Sequence, residues 1–204
     1  IKEKFSDIPK SLIPIKNRTL LDYQIEHIRN FNDIDIHFCL GYKSDQILEE
    51  LSKYKLEFSY TVEKKPLGTY GALYNSKKYL KNNFFVLFGD IMTNFDLNFG
   101  FKVFDEKNSD FLVVSRFSDH PEDSDLIEVD DNGRIKKIFR KKDLLIESPL
   151  AITGLFFGRR KNLKKYNKIN NPDVFKHYFK ENLKKYNIDN AISNAYIKDI
   201  GTVE

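Results

Sequence analysis

The feature that most constrains the fold is the apolar run Phe-Phe-Val-Leu-Phe at residues 84–88, which is followed by Gly89 and Asp90. Five consecutive apolar residues are too few for a packed helix and are typical of a strand buried on both faces. In open α/β sheets, ligands bind at the edge where such strands end. Asp90 therefore either binds a metal ion at the mouth of a nucleotide site or, as the alternative, starts a turn or caps the next helix.

Apolar spacing predicts alternating helices and strands over the first half of the chain. Segments with the apolar spacing of a helix alternate with segments with the spacing of a strand, over lengths typical of a parallel sheet with helices on both faces. The predicted helices are 19–30, 44–51, 72–80 and 99–107, and the predicted strands are 35–40, 56–62 and 84–88.

The second half of the chain is predicted to be richer in β-structure. Asp131-Asn132-Gly133 is a turn sequence between two apolar segments and predicts a β-hairpin. The predicted strands are 111–117, 126–129, 134–139, 150–157 and 195–197, with Asp199 after the last, and a helix follows Pro172. Since no repeat, linker or low-complexity tract interrupts the pattern, we expect one α/β domain over residues 1–204.

Composition excludes several classes of function. The 34 basic residues exceed the 30 acidic ones by a net charge of only +4, which is too little to indicate a nucleic-acid partner. The four histidines lack metal-ligand spacing, so no zinc site is expected. No apolar stretch approaches the ~20 residues that cross a bilayer, and no signal peptide is visible, so we expect a soluble, cytoplasmic protein without a membrane partner. The single cysteine, Cys39, is expected to be a buried thiol.

Two loops could carry chemistry. Residues 63–72 follow a strand, open a helix and contain Gly68 and Gly71, so backbone N–H groups there suit an anion or a nucleobase edge, although such loops also need glycine simply to turn. Glu63 could accept hydrogen bonds from guanine, which favours GTP, or it could simply face solvent. Lys10 lies between two prolines and is a candidate for contact with phosphate, although a loop lysine is usually just solvated.

Taken in order, four segments resemble the motifs of sugar-phosphate nucleotidyltransferases. Ile8–Pro14 resembles Pro-Lys-Pro-Met-Leu-Pro, and Glu63–Ala72 resembles Glu-x-x-Pro-Leu-Gly-Thr-x-Gly-Ala. Leu87–Asp90 is similar to the family's strand ending in Gly-Asp, and Asp199–Glu204 resembles Asp-x-Gly-Thr-Pro-Glu with Val203 in place of proline. The segment from His120 to Glu128 looks most like the heptose-1-phosphate and mannose-1-phosphate guanylyltransferase branch.

The resemblance implies a fold, a reaction and a set of site residues. The fold is the nucleotide-diphospho-sugar transferase fold, a Rossmann-like three-layer sandwich with a mostly parallel central sheet and a β-hairpin insertion. A sugar 1-phosphate oxygen attacks the α-phosphorus of a nucleoside triphosphate, GTP being favoured, and pyrophosphate leaves without a covalent enzyme intermediate. Surface polysaccharide or glycan synthesis is the implied setting. The implied site residues are Lys10, Asp90 and Asp199 for catalysis, the two aspartates also binding Mg²⁺; Lys10, Glu63, Pro66, Leu67, Gly68, Thr69, Gly71 and Gly89 for nucleotide; and Lys142, Glu128 and Gly154 for sugar phosphate.

Besides Val203, the chain departs from the family pattern in three places. Lys141 replaces a glutamate that binds sugar hydroxyls, and Ile152 replaces an asparagine of the sugar pocket. The family's first strand and glycine-rich loop would precede Ile1, so we expect that this is an interior piece of a longer chain. A homo-oligomer, or a fused phosphatase or kinase domain, is compatible with the sequence.

Two other functions remain open at this stage. A module of the same fold could sense nucleotide or sugar phosphate without turnover, and the departures from the family favour it. The paired carboxylates Asp90 and Asp199 argue against it, because a binder has less need of two metal ligands. A glycosyltransferase would use an Asp-x-Asp motif, which Asp123-Ser124-Asp125 spells, but that triplet precedes a hairpin strand instead of ending a central one.

Overall fold

The computed structural model describes residues 7–31, 33–118, 120–140 and 149–200. The helices are α1 Leu20–Arg29, α2 Ser44–Leu51, α3 Gly68–Asn75, α4 Leu97–Glu106 and α5 Lys180–Asn182, which directly follows a π-helical segment, Val174–Phe179. The strands are β1 Pro14–Ile15, β2 Arg18–Thr19, β3 Ile36–Leu40, β4 Phe58–Val62, β5 Asn83–Leu87, β6 Ile91–Thr93, β7 Phe111–Phe117, β8 Leu126–Val129, β9 Ile135–Phe139, β10 Leu150–Arg159, β11 Ile188–Ile192 and β12 Ile197–Asp199. Short 3₁₀ segments are Lys10–Leu12, Lys77–Tyr79 and Arg160–Asn162.

The largest sheet is mixed. Strand β10 lies between β5 and β7 and is antiparallel to both, and β11 pairs parallel with β7. The hairpin of β8 and β9 joins the sheet through β10. Strands β3 and β4 form a separate parallel pair. The predicted fold class is confirmed by the solved structures compared below, while the antiparallel insertion of β10 was not predicted from the sequence.

Alternate side chains of β5 face two different apolar clusters. Phe84 and Val86 pack with α3 and the π-helical segment, whereas Phe85 and Leu87 pack with α4. Because side chains alternate across a strand, the strand has helices on both sides. This is the two-sided packing that the apolar run predicted.

A slot separates β3 from β5. In the described part of the chain, β3 pairs with β4 alone and β5 with β10 alone, so one edge of each strand has no strand partner. A cavity of about 1010 Å³ lies between these edges and is lined by both strands together with α1, α3 and α4. At one end Lys81 Nζ spans it, lying 3.2 Å from Asp35 Oδ2.

The prediction of a buried Cys39 is wrong. In the described residues Cys39 is exposed, because β3 borders the open slot, although its Sγ lies 3.1 Å from Ser76 Oγ. The surrounding protein still removes part of its hydration, and this burial raises the pKa of the Cys39 thiol despite hydrogen bonds from Ser76 and Thr61 that act in the opposite sense.

Element bounds were predicted well where the apolar pattern was continuous. The strands 111–117 and 126–129 have the predicted bounds. The helix predicted over 72–80 instead begins at Gly68 and ends at Asn75, because its first turn is anchored by Glu63 and Pro172 as described below. Strand β11 was missed, since the polar pair Asp189 and Asn190 lies at its centre, and the last strand is two residues later than predicted.

Candidate active site

Asp90 lies in the turn that follows β5. The N–H of Ile91 donates to the carbonyl of Phe88 at 3.1 Å, which closes the turn around Gly89 and Asp90. A Cβ added at Gly89 would meet no heavy atom within 4 Å, so this backbone is open to the slot. The alternative that Asp90 starts a turn or caps the next helix is therefore correct in part, since Asp90 does lie in a turn, whereas the residue that caps the next helix is Asp96.

Asp199 reaches the same place through a different strand pair. Strand β12 pairs antiparallel with β6, with Asp199 opposite Ile91. The N–H of Ile200 donates to the Asp90 carbonyl at 2.9 Å. Residues 109 positions apart in the sequence are thus neighbours, and an antiparallel pair brings them together instead of two parallel strand ends.

Lys10 bridges the two carboxylates electrostatically. Its Nζ lies 2.8 Å from Asp90 Oδ2, and it is held at the start of a 3₁₀ turn after Pro9. Partial burial alone would lower the pKa of the Lys10 ammonium, but the hydrogen bond to Asp90 and the charges of Asp90 and Asp199 together outweigh it and raise that pKa. The site therefore gathers one cation and two anions at the end of β5.

The loop after β4 is fixed by its own glutamate. Glu63 Oε2 accepts the N–H of Leu67 at 2.9 Å, and the Glu63 N–H donates to the Leu40 carbonyl at 2.9 Å. A Cβ at Gly41 would lie 2.7 Å from Glu63 Oε1, so glycine there leaves room for the carboxylate. Glu63, Gly41, Lys10, Gly89 and Asp90 all line the same end of the slot.

The start of α3 is anchored to the segment 171–174. Gly68 has φ +72°, and an added Cβ would lie 2.4 Å from the Asn171 carbonyl carbon. Thr69 Oγ1 donates to Asp173 Oδ2 at 3.1 Å and accepts the N–H of Val174 at 2.8 Å, and the Tyr70 N–H donates to the Pro172 carbonyl at 2.9 Å. Thr69 thus caps the π-helical segment that begins at Val174. That Thr69 binds nucleotide stays a prediction, as it does for Pro66, Leu67 and Gly71.

Of the three residues predicted to bind sugar phosphate, the structure describes Glu128 and Gly154, and these two lie in different parts of the sheet. Glu128 is exposed on the hairpin, with Oε1 3.1 Å from Lys137 Nζ. Gly154, at φ +77° in an irregular part of β10, lies beneath the Asp90 turn and accepts the Phe88 N–H at 3.1 Å. Lys142, like Lys141, falls outside the described residues. Asp125 of the Asp-x-Asp triplet pairs with Lys176 at 3.5 Å.

One site residue was missed from the sequence. Gln24 of α1 is 8% exposed and donates from Nε2 to the carbonyls of Phe88 and Ile91, on either side of Asp90. A polar residue within the buried stripe formed by Leu20, Leu21 and Ile25 was the available signal.

The donor set suits a hard divalent cation. Asp90 and Asp199 offer carboxylate oxygens, and the Lys10 ammonium already lies against them as a positive charge. Among the described residues no three His, Cys, Asp or Glu side chains form a metal cluster, so a cation here would take its other ligands from water and substrate oxygens. Mg²⁺ binds in that way, through one or two carboxylates and phosphate.

An α/β sheet with a charged cluster and glycine-bearing loops at the carboxyl ends of its strands is typical of nucleotide-binding proteins. The chain belongs to the nucleotidyl transferase family, whose model matches residues 6–204. The family predicted from the four motifs is thereby confirmed. Within the described residues no helix is long and apolar enough to cross a membrane.

Three known proteins illustrate the relationship. The chain is 26% identical over 210 residues to D-glycero-alpha-D-manno-heptose 1-phosphate guanylyltransferase of Campylobacter jejuni, an alignment that covers 100% of this chain and 90% of that protein. It is 26% identical to the low-salt glycan biosynthesis nucleotidyltransferase Agl11 of Haloferax volcanii over 72% of this chain, spanning only 43% of that protein. The crystal structure of HddC from Yersinia pseudotuberculosis complexed with GMP-PN aligns at a TM-score of 0.78 and 23% identity, over 96% of this chain and 86% of that one, and shows a shared fold.

Proposed function

We propose that this protein is a sugar-1-phosphate nucleotidyltransferase that joins a heptose- or mannose-type 1-phosphate to GTP, releasing pyrophosphate. The observation that carries the proposal is the juxtaposition of Lys10, Asp90 and Asp199, because it provides one fixed cation and a cation-binding carboxylate pair at the end of β5. Two phosphate anions in contact repel by about 4 kcal/mol at an effective dielectric of 20. This cluster is suited to offset that repulsion.

The protein's part in the reaction is alignment and charge neutralisation. A phosphate oxygen of the sugar 1-phosphate forms a bond to the α-phosphorus as the bond to the pyrophosphate oxygen breaks, so no side chain is required as a nucleophile. Lys10 places its ammonium against the negative charge of the triphosphate. Asp90 and Asp199 would hold Mg²⁺, which when bound supplies further positive charge to the phosphate oxygens.

Guanine is the favoured base on two grounds. Glu63 is held at the mouth of the slot by the Leu67 N–H through Oε2, which leaves acceptor capacity on the carboxylate for the N1–H and amino group of guanine. The Campylobacter relative is a guanylyltransferase, and the Yersinia structure contains GMP-PN. The heptose named by the Campylobacter relative supports a heptose 1-phosphate as co-substrate. The glycan biosynthesis named by the Haloferax relative supports use of the product in glycan synthesis.

A nucleotide- or sugar-phosphate-sensing module is the second candidate. Ile152 occupies the position where the family resemblance places an asparagine, and its side chain packs with the apolar cluster around Phe156. A weakened sugar pocket would favour binding without turnover. Nucleotide binding that depends on Mg²⁺ but releases no pyrophosphate would support this candidate.

Pyrophosphate release tests the proposal directly. The protein would be supplied with Mg²⁺, each of four nucleoside triphosphates and a panel of hexose and heptose 1-phosphates. We expect turnover with one pair, lost in Asp90→Asn and Asp199→Asn, while Asp96→Asn, at the cap of α4, serves as the matched control. Turnover that survives in both variants would refute the assigned roles.

We further propose that the slot is filled by one β-strand from polypeptide ahead of Ile1. β3 and β5 lie with their amino ends together at Lys81 and their carboxyl ends together at Lys10, so a parallel strand would pair with both. Its carboxyl end would emerge beside Lys10, close to where the described chain begins at Asp7. Helices cover both faces of the slot, so this strand must be apolar on both faces, unlike Ile-Lys-Glu-Lys-Phe-Ser at residues 1–6.

Cys39 is a built-in reporter for that strand. As the single cysteine and exposed to the slot, it should react with a maleimide in the 204-residue chain about 10-fold faster than in the protein with the upstream residues present, because the strand would block access to the thiol. Cys39→Ser is the unlabelled control. Equal labelling rates in the two proteins would refute the proposal. Labelling of the shorter protein that slows as its concentration rises would also refute it, because a second copy of the chain would then fill the slot.

A further inference from the structure

Gln24 is a buried polar residue that donates two side-chain hydrogen bonds to the backbone on either side of Asp90. It lies on the face of α1 that packs into the protein and is 8% exposed. Its Nε2 lies 2.9 Å from the Phe88 carbonyl oxygen and 2.7 Å from the Ile91 carbonyl oxygen. The two hydrogens of one amide group therefore bracket Gly89 and Asp90.

The same contact extends to the second carboxylate. Ile91, whose carbonyl Gln24 binds, is the residue opposite Asp199 in the pairing of β6 with β12. The N–H of Ile200 in turn donates to the Asp90 carbonyl. Fixing the Phe88 and Ile91 carbonyls thus fixes the backbone that carries both aspartates.

The chemistry of the contact requires an amide. Two carbonyl oxygens accept hydrogen bonds and donate none, so the group between them must supply two donors, as the NH₂ of glutamine does. A leucine would leave both carbonyls without this partner, and an ionised glutamate would place acceptor oxygens against them. Shape alone therefore does not account for glutamine here.

We propose that Gln24 is a positioning residue that sets the spacing of Asp90 and Asp199, and hence the affinity and placement of the divalent cation. This inference rests on the proposed function. Within the described residues both hydrogen bonds that Gln24 donates go to backbone carbonyls, so it acts through the turn and not on substrate. Displacements of about 1 Å in an active site can lower rates 10²-fold, which makes a clamp on this turn consequential.

The test compares Gln24→Leu with Ile25→Ala in the full-length protein. Ile25 is the next residue of α1 and packs against Leu21 and Leu51, so its truncation reports general destabilisation of the helix. Mn²⁺ binding, followed by electron paramagnetic resonance without nucleotide, gives a readout independent of turnover. We expect Gln24→Leu to weaken Mn²⁺ binding at least ~10-fold and lower kcat ~100-fold, with KM for nucleotide changed less than ~3-fold.

Ile25→Ala should change each of these quantities less than ~2-fold. Gln24→Glu, closest in shape to the native residue, supplies one donor when protonated and none when ionised, so it should be defective but no more so than Gln24→Leu. Gln24→Met replaces the leucine variant if that protein does not fold. Hydrogen exchange at the Ile91 and Ile200 amides should accelerate in the Gln24 variants only.

Two results would overturn the inference, and they are distinguishable. If the native protein binds Mn²⁺ and releases pyrophosphate, but Gln24→Leu behaves like Ile25→Ala, the positioning role alone is wrong. If the native protein neither binds Mn²⁺ nor turns over any substrate pair, the proposed function fails and the positioning role fails with it.

Discussion

Replacing Gly68 by alanine should be far more damaging than replacing another glycine of the same backbone conformation. Gly68 and Gly133 have nearly equal φ angles of +72° and +76°. At Gly68 an added Cβ would lie 2.4 Å and 2.5 Å from the Asn171 carbonyl carbon and oxygen, and 2.7 Å from the Pro172 carbonyl oxygen. At Gly133 the nearest atom is Nζ of the long Lys107 side chain, at 3.2 Å, and not a backbone atom.

Because the φ angles match, the energetic cost of the left-handed backbone can be separated from that of the steric overlap. A left-handed conformation costs an alanine about 1–2 kcal/mol, and both variants incur it. Only Gly68→Ala must also push two backbone segments apart by about 1 Å, an overpacking cost of about 1–3 kcal/mol. We therefore expect losses in the free energy of unfolding of about 2–5 kcal/mol for Gly68→Ala and about 1–2 kcal/mol for Gly133→Ala.

Urea denaturation of both variants measures the difference in their free energy of unfolding, and steady-state kinetics measures its effect on turnover. Because the clash lies where the nucleotide loop is anchored to residues 171–174, Gly68→Ala should raise KM for the triphosphate while Gly133→Ala leaves it unchanged. Losses equal to within ~0.5 kcal/mol would refute the steric argument. Equal KM values would refute the assignment of this loop to the nucleotide.

Three further predictions concern the charged cluster and the hairpin. Gly89→Ala should unfold within ~1 kcal/mol of the native protein in urea, because no atom lies within 4 Å of the added Cβ, yet it should lose most pyrophosphate release if phosphate approaches this backbone. Lys136, with nearby backbone N–H groups, lowers the pKa of Asp130 from 3.8 to about 2, so the stability contributed by Asp130 is present above pH 3.8 and lost as the pH falls towards 2. In Asp130→Asn the free energy of unfolding should therefore depend less on pH in that window, and an unchanged pH profile would contradict the prediction. Lys10→Met should abolish turnover but tighten Mn²⁺ binding about two- to fivefold without nucleotide, because the ammonium competes for Asp90, and weaker binding would count against that competition.

The sequence determined most of the local structure and the identity of the main charged residues. The unbroken run at residues 84–88 predicted a strand with helices on both sides, and Gly89-Asp90 predicted a carboxylate at its end. Both are present, because apolar periodicity and turn residues act over a few positions and need no knowledge of distant contacts. The four motifs likewise predicted the family that the comparisons confirm.

Only the tertiary structure decided how these pieces meet. Nothing local in the sequence indicates that β10 pairs with β5, or that β6 and β12 pair and bring Asp199 beside Asp90. In the sequence Gln24 is only a polar residue on an amphipathic helix, and the structure shows that it donates to two carbonyls 64 and 67 positions away. Cys39 was predicted to be buried from its apolar neighbours alone, but in the described residues it borders the slot beside β3, where no strand pairs with it, and it is exposed. Such pairings depend on the closure of long loops around a shared core, and that information resides in the whole chain and not in any single segment.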